Sequence, residues 1–261
     1  MVTAANSNFP QTLHQIKLGG SLMSHRFFLD SVPTEGPLIL EGDQAHHAIQ
    51  VMRFRSGDEV VLFDGSGVEY RAVIDSVEKK RLCLSIVESI SIQRSVTSQI
   101  TLAVALPKGD RQKFLVEKLV ELGVKRLVPL RATRSVAVAS DKVIERLKKQ
   151  VVEASKQCGR NTLMDIGNEQ SLKQLGDSCI SNTTRLIADP YQGLSISEVA
   201  SGLPESASVV IAVGPEGGFD DEENALAHEL GFEPMRLGPA ILRVETAALA
   251  VAAIFGIGAE R

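Results

Sequence analysis

The sequence has few cysteines and no long hydrophobic run. The three cysteines, Cys83, Cys158 and Cys179, are scattered and lack the spacing of metal ligands. This pattern favours reduced thiols and argues against both a disulfide framework and a structural zinc site. No apolar stretch approaches the roughly 20 residues that a membrane-spanning helix needs. We therefore predict neither a metal site nor a membrane association.

Two common nucleotide-binding motifs are also missing. There is no GxGxxG with an acidic residue about 20 positions later, and no GxxxxGK[ST]. A Rossmann dinucleotide site and an ATP-type P-loop are thus excluded as interpretations. The pair His46-His47 has no further ligand at helical spacing, so metal binding there is not expected either.

The chain is acidic overall, with a formal net charge of −4, but its charge is unevenly distributed. Residues 108–160 hold 14 Lys and Arg against 6 Asp and Glu, a net charge of +8, whereas residues 161–261 have a net charge of −10. A basic block inside an acidic protein is typical of a phosphate-binding face, because contacts are made by local patches. The alternative is a solvated, lysine-rich helix face.

The 261 residues suit one large or two small domains. Residues 1–23 are polar and weakly periodic, and we expect a disordered extension or a leader there. Residues 24–90 contain short strand patterns, including the alternating stretch 68–77, separated by tight turns. This predicts a small β-barrel. The polar segment 89–98 is a candidate linker between domains.

From residue 99 the periodicity changes. An apolar strand at 99–106, a helix at 111–122 and a strand at 124–130 form a βαβ unit. Such a unit predicts a parallel sheet, so residues 99–261 form the α/β part of the fold class. A second helix, capped at Ser140 and Asp141, extends to Cys158 and carries several lysines.

The most distinctive stretch lies near the C-terminus. The apolar run 208–213 breaks into Gly214-Pro215-Glu216-Gly217-Gly218, and a second break, Leu237-Gly238-Pro239, follows one helix later. Open α/β sheets bind ligands at the carboxyl ends of their strands, and glycines there let a ligand approach the main chain. The alternative is that each Gly-Pro pair only ends a strand. Asp189-Pro190 ends an earlier strand, where Asp189 is either part of the site or the start of a turn.

The stretch GPEGGF, the acidic helix after it, and LGPAILRVETAA closely resemble the SPOUT methyltransferases of the RsmE type. The segments HRFFL, HHAIQVMRFRSGDEV, KGDR, ELGV and QCGR fit the same family, so the resemblance covers nearly all of residues 25–257. It implies methylation of N3 of a uridine in small-subunit ribosomal RNA, with S-adenosylmethionine as cofactor. It also implies a C-terminal trefoil knot, an N-terminal PUA-like barrel that binds RNA, and a homodimer.

The resemblance also assigns candidate residues. Those expected to contact the cofactor are Ala188, Asp189, Gly214, Pro215, Glu216, Gly217, Gly218, Leu237, Gly238, Ile241, Leu242 and Thr246. The catalytic candidates are Arg243, which could stabilise negative charge on the uracil oxygens, and the carboxylates Glu216 and Glu245, which could accept a proton or hold an arginine. Glu245 and Thr246 could alternatively belong only to a helix start. The RNA-binding candidates are Arg26, Arg53, Lys108, Arg111, Arg134 and Arg160.

Two other functions stay open at this point. One is ribose 2′-O methylation by a related SPOUT enzyme, and the other is RNA binding or ribosome assembly without catalysis. Intact Gly-Pro loops favour an enzyme, since a pure binding protein has no need of them. The expected location is cytoplasmic, or organellar if residues 1–23 form a transit leader.

Overall fold

The computed structural model describes residues 25–33, 38–91, 99–204 and 207–257. The predicted extension at 1–23 and most of the predicted linker lie outside these residues. The N-terminal part comprises β1 (Arg26–Phe28), β2 (Leu38–Leu40), α1 (Gly42–Gln50), β3 (Glu59–Phe63), β4 (Val68–Val77) and β5 (Leu82–Ser91).

These strands form one sheet in the order β1-β3-β4-β5-β2, in which β1 pairs parallel to β3 and the other pairs are antiparallel. The alternation predicted for 68–77 is confirmed, because Ala72 and Ile74 are fully buried. They pack with Ala45 and Ala48 of α1 in one apolar cluster. The sheet curls into a half-barrel. It is not a closed barrel, since β1 and β2 are its edges within the described residues.

The C-terminal part begins with β6 (Gln99–Val104), α2 (Arg111–Glu121), β7 (Arg126–Arg131) and α3 (Asp141–Cys158). Residues 161–185, which the sequence pattern leaves unassigned, contain β8 (Asp165–Ile166), β9 (Gln170–Ser171), α4 (Leu172–Ser178) and the start of β10 (Thr183–Ala188). The chain continues through β11 (Leu194–Ser195), α5 (Ile196–Gly202), β12 (Ser208–Val213), α6 (Asp221–Glu229), β13 (Glu233–Arg236) and α7 (Val244–Ile257).

The predicted parallel sheet is confirmed. Its strands lie in the order β11-β13-β10-β12-β6-β7-β8, with β9 also paired to β7, and every pair is parallel. Residues alternate between its two faces: Ile211 belongs to an apolar cluster that includes residues of α2, α3, α5 and α7, whereas Ala212 belongs to one that includes residues of α4 and α6. Burial on both faces explains why the strand sequences are almost continuously apolar.

The order of the strands places the carboxyl ends of β13, β10 and β12 side by side. The loops that follow them, 189–193, 214–220 and 237–243, therefore meet at one edge of the sheet. Such an edge is where open α/β sheets bind ligands.

Helix α7 packs against α2 at very short range. A Cβ atom placed on Gly256 would lie 2.3 Å from the carbonyl oxygen of Leu122, which directly follows α2. Because that oxygen belongs to the backbone, a side chain at residue 256 would force the two helices apart.

We therefore expect Gly256→Ala to lower the free energy of unfolding by about 1–3 kcal/mol, the typical cost of overpacking a buried contact. Urea unfolding followed by circular dichroism measures it. Gly202→Ala is the matched control, because nothing lies within 4 Å of a Cβ atom there. An unchanged midpoint for Gly256→Ala would show that the helices can separate at no cost.

Candidate active site

The three loops enclose a cavity of about 410 Å³ at the edge of the parallel sheet. Of the twelve residues predicted to contact a cofactor, eleven line it, and only Thr246 does not. Thr246 is exposed in the first turn of α7. The structure thus brings together residues from three separate parts of the sequence: Ala188, Asp189, Gly214, Pro215, Glu216, Gly217, Gly218, Leu237, Gly238, Ile241 and Leu242.

The loop after β12 depends on its glycines. A Cβ atom at Gly214 would lie 2.9 Å from the ring of Phe219, and one at Gly217 would lie 3.0 Å from Cδ of Arg134. Gly218 has φ of +69°, and its N–H donates to the carbonyl of Pro215 at 2.8 Å. Tight packing and a positive φ therefore explain why this loop needs glycine at these positions.

The loop after β10 is held by Asp189. Its carboxylate accepts the backbone N–H groups of Tyr191 and Gln192 at 2.7 and 2.9 Å, and its own N–H donates to Met235 at 3.0 Å. Both interpretations of Asp189 are compatible with this geometry, since it starts a turn and also lines the cavity.

The same loop ends at Gly193, which is also conformationally constrained. Gly193 has φ of +88°, and a Cβ atom there would lie 1.8 Å from the carbonyl oxygen of Pro234. Arg236 Nε donates to the Gly193 carbonyl at 2.9 Å, which fastens the loop to the end of β13.

A helix cap fixes the far side of the cavity. Asp220 and Glu223 form a capping box at the start of α6, in which each side chain accepts the other's backbone N–H. The backbone N–H bond from Glu223 is the main reason that the pKa of Asp220 is lowered. Glu223 also accepts the N–H of Thr133 at 2.8 Å, so its carboxylate has a structural role and ties the loop after β7 to α6.

A second cavity, of about 490 Å³, adjoins the first and shares Glu216, Ile241 and Leu242 with it. Its other lining residues are Arg111 and Arg243. Arg111 Nη1 donates to Glu216 at 2.7 Å and lies 3.5 Å from Glu245 Oε1. The hydrogen bond from Arg111 lowers the pKa of Glu216, which makes this carboxylate a poor proton acceptor near neutral pH.

The two other catalytic candidates differ in their surroundings. Glu245 is 7% exposed and lines neither cavity, and its Oε2 has no hydrogen-bond partner in the described structure. It lies in the first turn of α7 and helps to hold Arg111. Arg243 is exposed in the second cavity, and its side chain has no hydrogen bond or ion pair with another described residue. Arg243 is therefore available to a ligand, whereas Glu245 orients a neighbouring side chain.

The six RNA-binding candidates differ in exposure, and one of them, Arg111, is the half-exposed arginine of the second cavity. Arg53, Lys108 and Arg134 are exposed, and Arg134 Nη1 also donates to Gly217 at 2.5 Å in the wall of the first cavity. Arg26 and Arg160, by contrast, are each only 6% exposed. For these two the structure corrects the prediction, since a buried guanidinium cannot reach an RNA phosphate.

The environment of Arg160 shows what it does instead. Its Nη1 donates to the carbonyl of Val120 at 3.1 Å, and its Nε donates to Thr162 at 3.2 Å. Burial lowers the pKa of this guanidinium. Arg160 thus satisfies a backbone carbonyl group in the last turn of α2.

Several cavity residues escaped prediction, including Tyr191, Gln192, Phe219 and Asn224. Tyr191 and Gln192 follow Asp189 directly, so extending the site along that loop would have found them. Asn224 lies three residues after Asp221, which also lines the cavity, so both face it at helical spacing. Phe219, whose ring packs on Gly214, ends the stretch GPEGGF, so its place in that motif was the available signal.

Comparison with known proteins defines the class. The family model of the RNA methyltransferase domain matches residues 94–256, more than half of the chain. The model of the RNA methyltransferase PUA domain matches residues 40–87, which lie in the half-barrel. The chain therefore has the two domains of an RNA methyltransferase and belongs to that class.

Individual relatives are more specific. The chain is 32% identical over 219 residues to ribosomal RNA small subunit methyltransferase E of Bacillus subtilis, covering 80% of this chain and 86% of that protein. The structure of the methyltransferase E of Neisseria gonorrhoeae bound to S-adenosylmethionine has a TM-score of 0.80 at 31% identity, covering 88% and 95% of the two chains. A Legionella pneumophila structure with bound S-adenosylmethionine has a TM-score of 0.81 at 29% identity, covering 89% and 97%. The chain belongs to the ribosomal RNA small subunit methyltransferase E family.

No group of three or more His, Cys, Asp or Glu side chains within the described ranges could hold a metal ion. No helix in those ranges is long and apolar enough to cross a membrane.

The position of Gly193 leads to a prediction. A methyl group at this residue would overlap the backbone of Pro234, so in Gly193→Ala the loop 189–193 must leave its place in the cavity wall. With S-adenosylmethionine as the probe in calorimetric titration, we expect the Kd to rise by about tenfold or more, the effect of losing about 1.4 kcal/mol of binding free energy.

Gly57→Ala in the half-barrel is the control for backbone strain. Gly57 has a comparable φ of +95°, but nothing lies within 4 Å of a Cβ atom there. Equal Kd values in the two variants would contradict a role for the loop in binding.

Proposed function

We propose that this protein transfers the methyl group of S-adenosylmethionine to N3 of a uridine in small-subunit ribosomal RNA. Membership of the methyltransferase E family supports the reaction class and the substrate. The observation that carries the proposal is the adjacency of the two cavities, one lined by main-chain loops and the other by two arginines.

The residues of the first cavity fit the cofactor. An adenine ring needs apolar walls and hydrogen-bonding groups at its edge, and Leu237 and Leu242 provide the walls. Main-chain N–H and C=O groups of the loops at 214–218 and 237–241 provide the edge contacts. When bound, S-adenosylmethionine supplies a methyl group on a positively charged sulfur.

The second cavity suits the target base. Uracil N3 carries a proton at neutral pH, and transfer of this proton to solvent water leaves negative charge on the two carbonyl oxygens. Arg243, which is exposed, and Arg111, which Glu216 and Glu245 hold in place, present positive charge to those oxygens. Fixed cations that face developing charge are a strong source of catalysis. N3 then forms its bond to the methyl carbon as the carbon–sulfur bond breaks.

Positioning supplies the rest of the rate enhancement. Ile241 and Leu242 belong to both cavities, so the base and the methyl donor share one wall. Holding two reactants at a fixed distance and angle removes much of the entropic cost of the reaction. Since uracil N3 takes part in base pairing, the target uridine must be unpaired or turned out of its helix.

The domain division follows from the same proposal. Residues 24–90 contribute an RNA-binding surface and residues 99–261 carry out catalysis. Arg53, Lys108 and Arg134 are exposed cations that can contact phosphates, as are Lys142, Lys148 and Lys149 on α3. The substrate implies a cytoplasmic location, where ribosomal subunits are assembled.

A trefoil knot and a homodimer belong to the proposal too. Strand β13 follows β12 in the chain but lies between β10 and β11 in the sheet, which is compatible with a threaded C-terminal segment. Tyr191 and Ile241 line the first cavity although they are 76% and 71% exposed, so a second subunit could cover them. Analytical ultracentrifugation tests the dimer: a monomer at working concentration would refute it.

Methyl transfer from labelled S-adenosylmethionine to small ribosomal subunits that lack the modification tests the reaction. Digestion of the RNA and mass spectrometry of the nucleosides should give 3-methyluridine. A ribose-methylated nucleoside would still indicate an RNA methyltransferase, but one that modifies the ribose 2′-oxygen instead of uracil N3. Absence of transfer to both subunits and naked RNA would favour a binding protein without catalysis.

We expect Arg243→Ala to reduce kcat by about 100-fold or more, in the range seen when one charge-stabilising group is removed. Because Arg243 is exposed and makes no ion pair with another described residue, the unfolding midpoint should not change. Lys173→Ala, which removes an exposed cation from α4, is the control. Wild-type turnover in Arg243→Ala would show that this residue has no catalytic role.

Arg53→Ala should weaken RNA binding and leave the Kd for S-adenosylmethionine unchanged. If Arg53 contacts one phosphate, the slope of log K against log salt concentration should fall by about one. Filter binding at several salt concentrations measures this slope. A parallel shift with no change of slope would indicate that Arg53 acts without a phosphate contact.

A further inference from the structure

Arg26 lies where the half-barrel meets the α/β part of the chain. Its side chain is 3% exposed, and Nη1 donates to Glu69 of β4 at 2.7 Å. The Arg26 guanidinium carbon lies 5.0 Å from the centre of the Phe63 ring. These two contacts are within the half-barrel, but Nη2 donates to the side chain of Asn161, which follows α3 and is 2% exposed. One buried guanidinium therefore connects the two parts of the molecule.

The turn between β3 and β4, residues 64–67, meets the same segment. The N–H of Gly67 donates to the carbonyl of Asn161 at 3.2 Å, and Ser66 forms an antiparallel bridge with Thr162. A Cβ atom at Gly65 would lie 3.2 Å from Leu163. We call this assembly of Arg26, Glu69, Asn161 and the turn 64–67 the domain joint.

Electrostatics make the domain joint selective for one arrangement. A buried guanidinium is costly unless its charge is neutralised and its N–H groups are bonded, and Arg26 Nε already has no hydrogen-bond partner in the described structure. Glu69 supplies the charge, but Asn161 supplies a hydrogen bond that is available only when the two parts are docked. If they separate, Arg26 loses that partner, so other relative positions of the half-barrel are disfavoured.

The domain joint also adjoins both surfaces that the proposed function assigns to RNA. Asn161 comes three residues after α3, whose exposed lysines include Lys148 and Lys149. On the other side, Phe54, next to the exposed Arg53, packs edge-to-face on Phe27, the neighbour of Arg26. A fixed joint therefore sets the distance between the two sets of cations.

We propose that the domain joint is a positioning device for RNA: it holds the half-barrel and the basic helix α3 as one surface, at a fixed distance from the cofactor cavity. Arg26, Glu69 and Asn161 are positioning residues and touch neither substrate nor cofactor. This inference rests on the proposed function, because it assigns to the joint the alignment of the RNA substrate with the catalytic cavities.

Steady-state kinetics on small subunits, with RNA binding measured separately, tests the proposal. Asn161→Ala leaves the Arg26–Glu69 pair intact and cuts its link to the other domain. We expect the KM for subunits and the Kd for RNA to rise by roughly tenfold, the effect of losing about 1.4 kcal/mol of binding free energy. The Kd for S-adenosylmethionine and kcat at saturating RNA should stay within about twofold of wild type.

Two conservative variants separate positioning from stability. Asn161→Asp keeps an acceptor for Arg26 and should retain a wild-type KM. Glu69→Gln weakens the buried pair and should raise KM, whereas Glu88→Gln, the same change at an exposed partner of Arg71 on the same sheet, should not. If Asn161→Ala does not fold, the KM of Glu69→Gln compared with that of Glu88→Gln tests the positioning role instead.

Unchanged KM and RNA affinity in folded Asn161→Ala and Glu69→Gln would overturn the proposal. So would an equal loss of affinity for S-adenosylmethionine, because that indicates general damage to the fold. The RNA-binding measurement keeps the two hypotheses apart: a wild-type protein that binds RNA but transfers no methyl group would refute the proposed function, and the affinities would still test the domain joint.

Discussion

The parallel pairing of β13, β10 and β12 is the constraint on which the candidate active site depends. Parallel neighbours end at the same edge of a sheet, so three loops that are up to about 50 residues apart in the chain enclose one cavity. The core maintains this arrangement, since alternate residues of these strands pack into apolar layers on both faces. Changes that shift the register of one strand would therefore move one wall of the cavity and leave the others in place.

The arginines of this protein show how surroundings determine a role. Arg26 and Arg160 are buried and join structural elements. Arg111 is half-exposed and held between two carboxylates, whereas Arg243 is exposed in the second cavity. The residue type is the same in each case, and the differences come from which neighbours neutralise the charge. In the second cavity, two carboxylates position Arg111 before any ligand binds, so this guanidinium needs little reorganisation, whereas Arg243 has no such support among the described residues.

Much of the fold and of the cavity could be predicted from the sequence. Periodicity reports which face of a strand or helix is buried, so the βαβ unit, the helix from Asp141 and the strand at 68–77 were correct. The Gly-Pro breaks after apolar runs indicated the edge of the sheet where the cavity lies, and the family resemblance supplied the eleven residues that line it. The role of Arg26 could not be predicted, because it depends on a contact between distant segments, whereas holding an arginine was one of the predicted roles of Glu245. Arg26 and Asn161 are 135 residues apart, and no local pattern records their pairing. A small β-barrel was predicted and a half-barrel is found, because strand patterns do not show whether the first and last strands meet.

Helices α2 and α7 are connected at both ends. Arg111 and Glu245 lie at their starts, and Leu122 and Gly256 meet at their ends. The two helices therefore form a stiff pair beneath the loop 237–243, which enters α7 directly. Local openings in proteins require much less free energy than global unfolding and occur in segments with few buried contacts. Ligand exchange then needs only transient displacement of the loops, and amide hydrogens of the loops should exchange with solvent long before those of the helix pair do.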